Sequence, residues 1–243
     1  MTIDRIAPTR RPAGAARGYQ RWRHLTFIHW RVPEAVLRPL VPEALAIDTF
    51  DGEAFVGVVP FTMLGVRPRW APALPGVSRF HETNVRTYVH RRATDPGVWF
   101  FSLDAANRLA AWAARTFWHL PYHHARMSLE VGDDVIRYAS ERRGGGEARF
   151  RGSCRPAGEP RAAEPGTLEH FLAERYLLYA LARDGVLRRG QVHHAPYPLQ
   201  PATLADWDES LLAAAGIVRP AGEAPLVHFA AGVDVEVFAL ERV

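Results

Sequence analysis

The chain has 243 residues, 48% of them hydrophobic, and carries a formal net charge of +4 at pH 7 with a sequence pI near 9.6. That content suffices for a sizeable core, while no apolar run approaches the roughly 20 residues that span a bilayer and the N-terminus has no apolar core of the secretory type. All 30 basic residues are arginine and Cys154 is the only cysteine, so an imine on a lysine side chain, an intrachain disulfide and a cysteine-built zinc site within one chain are excluded.

These features point to a cytoplasmic protein. The arginines are spread along the chain among 26 acidic residues, which argues against a nucleic-acid partner. A small-molecule ligand is expected, with neither nucleic acid nor membrane as partner, and a homo-oligomer stays open.

Residues 1–17 are rich in Arg, Pro, Ala and Gly without periodicity, and read as a mobile arm ahead of a single domain over 18–243. Strand character starts at Leu25–Val32, followed by a short Pro-started helix near Glu34–Leu40 and a strand at Ala46–Phe50. Asp51-Gly52 then sits between apolar runs, a hairpin signal because both central turn positions need positive φ. Ala54–Met63 is apolar at both alternating positions, as expected of a strand covered on both faces, and Pro60 marks a bulge or an edge.

A loop over Pro68–Pro75 bears Trp70 and serves either as a lid or as packing. Strands resume at Glu82–His90 and Val98–Leu103. A helix is predicted from Ala105 to about Trp118, with Asp104 as N-cap, Arg108, Arg115 and His119 on one face, and Leu109, Trp112 and Phe117 supplying packing. Further strands follow near Tyr122–Val131, Val135–Glu141 and Ala148–Cys154, the last two joined by the Gly144-Gly145-Gly146 turn. Thr167 starts a helix, and Asp184-Gly185 turns a second hairpin between Tyr176–Ala182 and Val186–His194. A helix at Trp207–Ala214 and a strand at Val233–Leu240 complete the pattern. Many strands, hairpin turns and few helices make a mainly β (α+β) barrel with covering helices.

Two segments could carry chemistry. Alternation in Glu82–His90 puts Glu82, Asn84, Arg86, Tyr88 and His90 on one face and Val85 and Val89 on the other. The plain reading is a half-buried strand whose polar face meets water; the functional reading lines a barrel interior, where an acid, a guanidinium fork and a phenol grip a small acidic ligand. In Leu120–Leu129, alternation puts Tyr122, His124, Arg126 and Ser128 together, with His123 on the opposite face. Neighbouring histidines on a strand diverge, so neither this pair nor His193-His194 makes a chelate, and no metal site is expected. No phosphate loop, dinucleotide fingerprint or nucleophile elbow occurs, and no cofactor is called for.

The stretches "HWRVPEAVLRPLVPEALAIDTFDGEAFVGVVPF", "ETNVRTYV", "GVWFFSLDAANRLA", "LPYHHARMSL", "EHFLAERYLLY" and "VHHAPYPLQPA" resemble, in the same order, the YqjF-like family of bacterial proteins with no assigned function. That family is similar in fold to acetoacetate decarboxylase, a β-barrel around an active-site cavity. The resemblance implies that Arg115 matches the arginine of the decarboxylase helix, Pro121 its proline, Tyr122 the Schiff-base lysine and His123 the neighbouring lysine, while Glu82 matches an acidic strand residue. Both lysine positions have departed, so the resemblance supports a cavity near Tyr122 and not imine chemistry.

The leading reading is therefore a barrel for a small carbonyl or carboxylate compound. Arg86 and Arg126 serve as anion forks, Asn84, Tyr88, Arg115 and His123 as further binding residues, and Tyr122, His124 and Glu82 as acid or base in lyase, dehydratase or cyclase chemistry. The alternatives are a non-catalytic ligand-binding or interaction protein, and a barrel whose interior is filled by its own side chains.

Overall fold

In the computed structural model, which describes residues 3–144, 147–219 and 222–243, thirteen strands pair into one continuous sheet. In chain order they are β1 (Gly18–Val32), β2 (Ala46–Ile47), β3 (Ala54–Pro68), β4 (Arg79–His90), β5 (Gly97–Ala105), β6 (Tyr122–Val131), β7 (Ile136–Arg142), β8 (Arg149–Pro156), β9 (Leu177–Leu181), β10 (Leu187–His193), β11 (Leu199–Glu209), β12 (Leu226–Val237) and β13 (Glu241–Arg242). The α-helices are short: α1 (Glu34–Leu37), α2 (Arg108–Phe117), α3 (Leu168–Ala173) and α4 (Leu211–Ala214). None is long and apolar enough to cross a membrane. The expected mainly β barrel is what forms.

The sheet closes on itself twice. One ring runs β1-β3-β4-β5-β9-β10-β12 and is sealed by β5 against β9 and β10 against β12. A second runs β1-β3-β4-β5-β6-β7-β8-β11-β12. Strands β12, β1, β3, β4 and β5 belong to both, so they form a wall with a core on each side. Alternation sorts the side chains: Phe27, Val59, Phe61 and Val235 pack in one core, and Ile28, Val58, Val85 and Phe229 pack in the other with Ile136, Tyr138 and Phe150. The near-continuous apolar run of β3 follows from this placement. Pro60 lies where the β1–β3 register breaks between Arg23/Thr62 and Ile28/Val58, the kind of irregular position a strand proline takes.

Asp51 and Gly52 adopt φ of 51° and 82°, making the expected tight turn, but only Phe50 and Glu53 pair across it; β2 instead joins β4. Gly185 turns β9 into β10 as anticipated. The glycine turn before β8 falls partly outside the described residues. The helix expected at Trp207–Ala214 is replaced by β11, which runs to Glu209, and one turn of α4, because Ala202–Ala205 and Asp208–Glu209 pair with β8. The last long strand begins at Leu226 and ends at Val237, earlier than expected.

Two expectations about the surface need correction. Residues 3–17 lie against the body: Arg5 pairs with buried Asp48, Arg11 binds Glu236 at 2.6 Å, and Gln191 Nε2 donates to the Pro8 carbonyl at 2.9 Å. The arginines that suggested a solvated arm are what dock it. In α2, Asn107 caps the helix through Oδ1, accepting from the Leu109 and Ala110 amides, while Asp104 stays in β5. The helix rests its alanines, Ala110, Ala111 and Ala114, on the core and turns Leu109, Trp112 and Phe117 outward. Small residues let it lie close to the sheet, so the large ones do not supply the packing. The loop residue Trp70 is 87% exposed.

Candidate functional site

Strand β4 lies inside the shared wall, between β3 and β5, and both of its faces are buried. Val85 packs in the core of the larger ring, Val89 packs with Val41, Leu45, Tyr179 and Leu187, and Thr83 and Thr87 are buried on the same side; Glu82, Asn84, Arg86 and Tyr88 are buried on the opposite face, with His90 partly exposed at the end. Four polar side chains in succession therefore leave water, each needing a partner.

Glu82 finds Tyr122. The phenol donates to Oε2 at 2.6 Å, reaching from β6, which runs parallel to β5 with Leu103 opposite Tyr122. Burial pushes the Glu82 carboxyl up to about 8, opposed by the Tyr122 hydrogen bond and reinforced by the nearby Asp104 carboxylate. Burial thus favours the protonated form of Glu82. Asp104 is itself raised to about 6 by burial, held down by Arg142, whose Nε donates to it at 2.9 Å.

Arg86 has no such partner. Its Nη2 donates to the Leu172 carbonyl at 3.0 Å and its guanidinium lies over the rings of Phe27 and Tyr88, but among the described residues no carboxylate is within ion-pair distance and Nε is unpaired. Arg175, equally buried, has Asp48 at 2.8 Å. Tyr88 gives its proton to the same Leu172 carbonyl at 2.6 Å, which leaves the His29 Nε2–H to donate to the phenol oxygen at 2.7 Å. Burial holds His29 neutral.

Across the interior lies a box that the sequence reading discounted. His194 stacks on Tyr176 with ring centroids 4.4 Å apart, and sits 4.5 Å from Tyr197 and 5.8 Å from Trp22. Glu174 fixes this box, accepting from the Tyr176 hydroxyl at 2.6 Å and the Tyr197 amide at 2.8 Å. The box joins the β4 face by two routes: Tyr197 to Phe27 at 5.2 Å and on to Arg86, and Trp22 to Phe61 at 5.7 Å, the cross-strand partner of Glu82. The sequence signal was a histidine followed by Ala195-Pro196-Tyr197-Pro198, a stretch that leaves β10 and turns its aromatic inward.

The other expected residues do not converge here. Arg126 is exposed and His124 lies outside, beside Arg108 and Arg143, because β6 leaves β5 after Ala105/His124 to pair with β7; beyond that point the face shared with Tyr122 looks to solvent. His123 is placed opposite Asp104 between Arg142 and Arg115, and Arg115 is exposed on α2. Among the described residues, no three of His, Cys, Asp and Glu gather as metal ligands. Two surface clefts, of about 250 Å³ beside Arg189 and Phe238 and about 330 Å³ beside Trp99 and Pro121, lie away from Glu82 and Arg86.

This architecture matches known folds. Acetoacetate decarboxylase from Legionella pneumophila superposes with a TM-score of 0.67 at 15% identity, covering 97% of this chain and 92% of that one. The enduracididine biosynthesis enzyme MppR complexed with pyruvate gives 0.65 at 10% identity, covering 95% and 91%. An acetoacetate decarboxylase-like enzyme from Sphingomonas wittichii RW1 gives 0.64 at 13%, covering 95% and 94%. At such identities the likeness establishes the fold alone. In sequence, the uncharacterized protein YqjF of Bacillus subtilis (strain 168) is 40% identical over 223 residues, 92% of this chain and 91% of that one. Residues 19–234 match the model of the uncharacterized conserved proteins DUF2071, and the chain belongs to that family, built on the acetoacetate decarboxylase-like fold.

Proposed function

We propose that the interior of the seven-stranded ring binds a small carboxylate bearing a carbonyl group, and that Glu82 with Tyr122 moves a proton on the bound molecule. The observation that carries this is Arg86. A guanidinium taken out of water without a counter-charge is costly, and a carboxylate supplied by a ligand removes that cost through a fork-to-fork contact. The neutral Glu82, on the same strand face, gives its proton to the carbonyl oxygen, and the carboxylate so formed takes the proton of the adjacent, now acidified C–H bond, so that the carbonyl becomes an enol and Glu82 ends protonated again. Enolisation, dehydration and lyase cleavage all begin this way. With no lysine in the chain, none of them proceeds through an imine on a lysine side chain. The fold neighbour MppR, complexed with pyruvate, supports the size and class of ligand.

Pyruvate titrated calorimetrically into the wild type and Arg86→Gln tests the anchor. Binding should weaken at least about tenfold in Arg86→Gln and stay unchanged in Arg126→Gln, whose side chain is on the surface. Proton NMR in deuterated water then reads exchange of the methyl protons, which Glu82→Gln should slow by about 10²–10⁴-fold. Equal affinity in the wild type and Arg86→Gln would remove the anchor. A second reading, binding without turnover, is favoured by the bond between Glu82 and Tyr122, which satisfies both groups without a ligand. Arg86-dependent binding without exchange would select it.

A further inference from the structure

We infer that the ligand of this interior carries, beside its acid group, a planar portion with an O–H or N–H donor, and that Nε2 of His194 receives that donor inside the box of Trp22, Tyr176 and Tyr197. The inference rests on the reading of Arg86 as the anion anchor and extends it to the far wall.

The tautomer of His194 follows from its contacts. Nδ1 lies 2.8 Å from the Ala195 carbonyl, an oxygen that can only accept, so Nδ1 carries the hydrogen and Nε2 of the neutral ring is a bare lone pair. Burial keeps the ring neutral by pushing its pKa down to about 4. Nε2 is buried and has no hydrogen-bond partner among the described residues. A weakly basic, fixed, unpartnered acceptor takes a hydrogen bond readily and a proton poorly, which makes it a recognition group rather than a general base.

The surroundings specify the rest of the ligand. Tyr176 lies nearly parallel to His194, at 19°, while Tyr197 and Trp22 stand tilted against it at 52° and 54°. Aromatic walls favour a flat guest. Glu174 is occupied by Tyr176 and Tyr197, so it holds the box in shape and leaves Nε2 without a donor of its own. Phe27 touches both Tyr197 and the Arg86 guanidinium, which places acceptor and cation on one continuous lining. Ala195 and Pro196, which follow the histidine in the chain, are exposed, while His194 and Tyr197 are buried.

The test is a calorimetric panel at neutral pH of phenylacetate, para-hydroxyphenylacetate and para-methoxyphenylacetate, with the phenylpropionates as a longer series, against wild type, His194→Phe and Arg86→Gln. The phenol should bind about tenfold or more tighter than its methyl ether, because only the phenol pairs the buried nitrogen. His194→Phe, which keeps a flat ring, should abolish that advantage. Arg86→Gln should weaken all members alike. If the acids bind in an Arg86-dependent way but phenol and ether bind equally, or the phenol's advantage survives in His194→Phe, the inference falls while the anion anchor stands. If none binds, or binding ignores Arg86, both fall. Should His194→Phe fail to fold, nitrogen NMR of histidine-labelled wild type reads the same contact: the Nε2 resonance must move with the phenol and stay with the ether, and a resonance that responds to neither overturns the inference.

Discussion

The Tyr122 hydroxyl reaches across β5 to donate to Oε2 of Glu82 at 2.6 Å, so two residues 40 apart in sequence form one buried acid pair. The hydrogen bond opposes the upward shift that burial imposes on Glu82. Tyr122→Phe keeps the ring's packing and removes that opposition, so Glu82 should ionise at still higher pH. Infrared detection of the protonated carboxyl stretch across a pH series reads the midpoint directly. The variant should lose about 0.5–1.5 kcal/mol of stability, the ordinary worth of one hydrogen bond. A midpoint that stays or falls would show that the phenol does not stabilise the carboxylate.

Stability should fall with rising pH, in a window that Glu82 defines. Its folded value, about 8, lies above the ordinary 4.5, so the folded chain holds more protons between those values than the unfolded one. The contribution is fully present below about 4.5 and is lost as the pH rises through about 8. Asp104 adds a similar loss between 3.8 and about 6. Glu82→Gln stays neutral, so its denaturation free energy should be flatter than the wild type's between about 6 and about 8, with a gain of on the order of a few kcal/mol relative to wild type at the alkaline end. Parallel pH profiles for the two proteins would mean that Glu82 is ionised already.

The alternation of Glu82–His90 was legible because a strand has period two, and the four buried polar residues do share a face. What periodicity could not give was the second core behind them, since a doubly closed sheet depends on which strands meet. The same period misplaced Arg126: it says which residues share a face, but not where β6 leaves the ring wall and that face passes from interior to solvent. Asp104 looked like a cap because it precedes an apolar helical pattern; pairing with β4 and β6 keeps it in the sheet, and the cap falls to Asn107. His194 was weighed only as half of a chelate, and its aromatic box comes from β1 and from residues flanking β9 and β10, elements that no local pattern joins.

Asp48 should be a highly sensitive carboxylate, and its partner Arg175 lies over the Tyr88 ring at 4.9 Å. Asp48 is wholly buried and bonded to both Arg175 and Arg5, the first of which is itself buried. Asp48→Asn leaves the Arg175 charge uncompensated and should cost about 3–5 kcal/mol in urea denaturation at unchanged slope. Arg5→Gln removes the partly exposed second cation and should cost no more than about 1 kcal/mol. Equal costs for the two would place the N-terminal contact on the same footing as the buried pair.

Gly57 offers the sharpest steric test of the β4 face. A Cβ built there would stand 2.8 Å from Cδ2 and 2.9 Å from Nε2 of His29, closer than real carbon contacts, and 3.7 Å from Cγ of Arg86. The imidazole has little freedom to retreat, because Nε2 is held by the Tyr88 hydroxyl at 2.7 Å and the ring stacks beside Phe27. Gly57→Ala should therefore destabilise the fold by about 1–3 kcal/mol, as overpacking does, and it should disturb the Tyr88 and Leu172 contacts that orient Arg86. The backbone at Gly57 needs no positive φ, so the whole cost is steric. A double-mutant cycle isolates it: in a His29→Ala background the added methyl has room, and the Gly57→Ala penalty should drop by more than half. An undiminished penalty would locate the strain in the strand itself and leave His29 and Arg86 where they are.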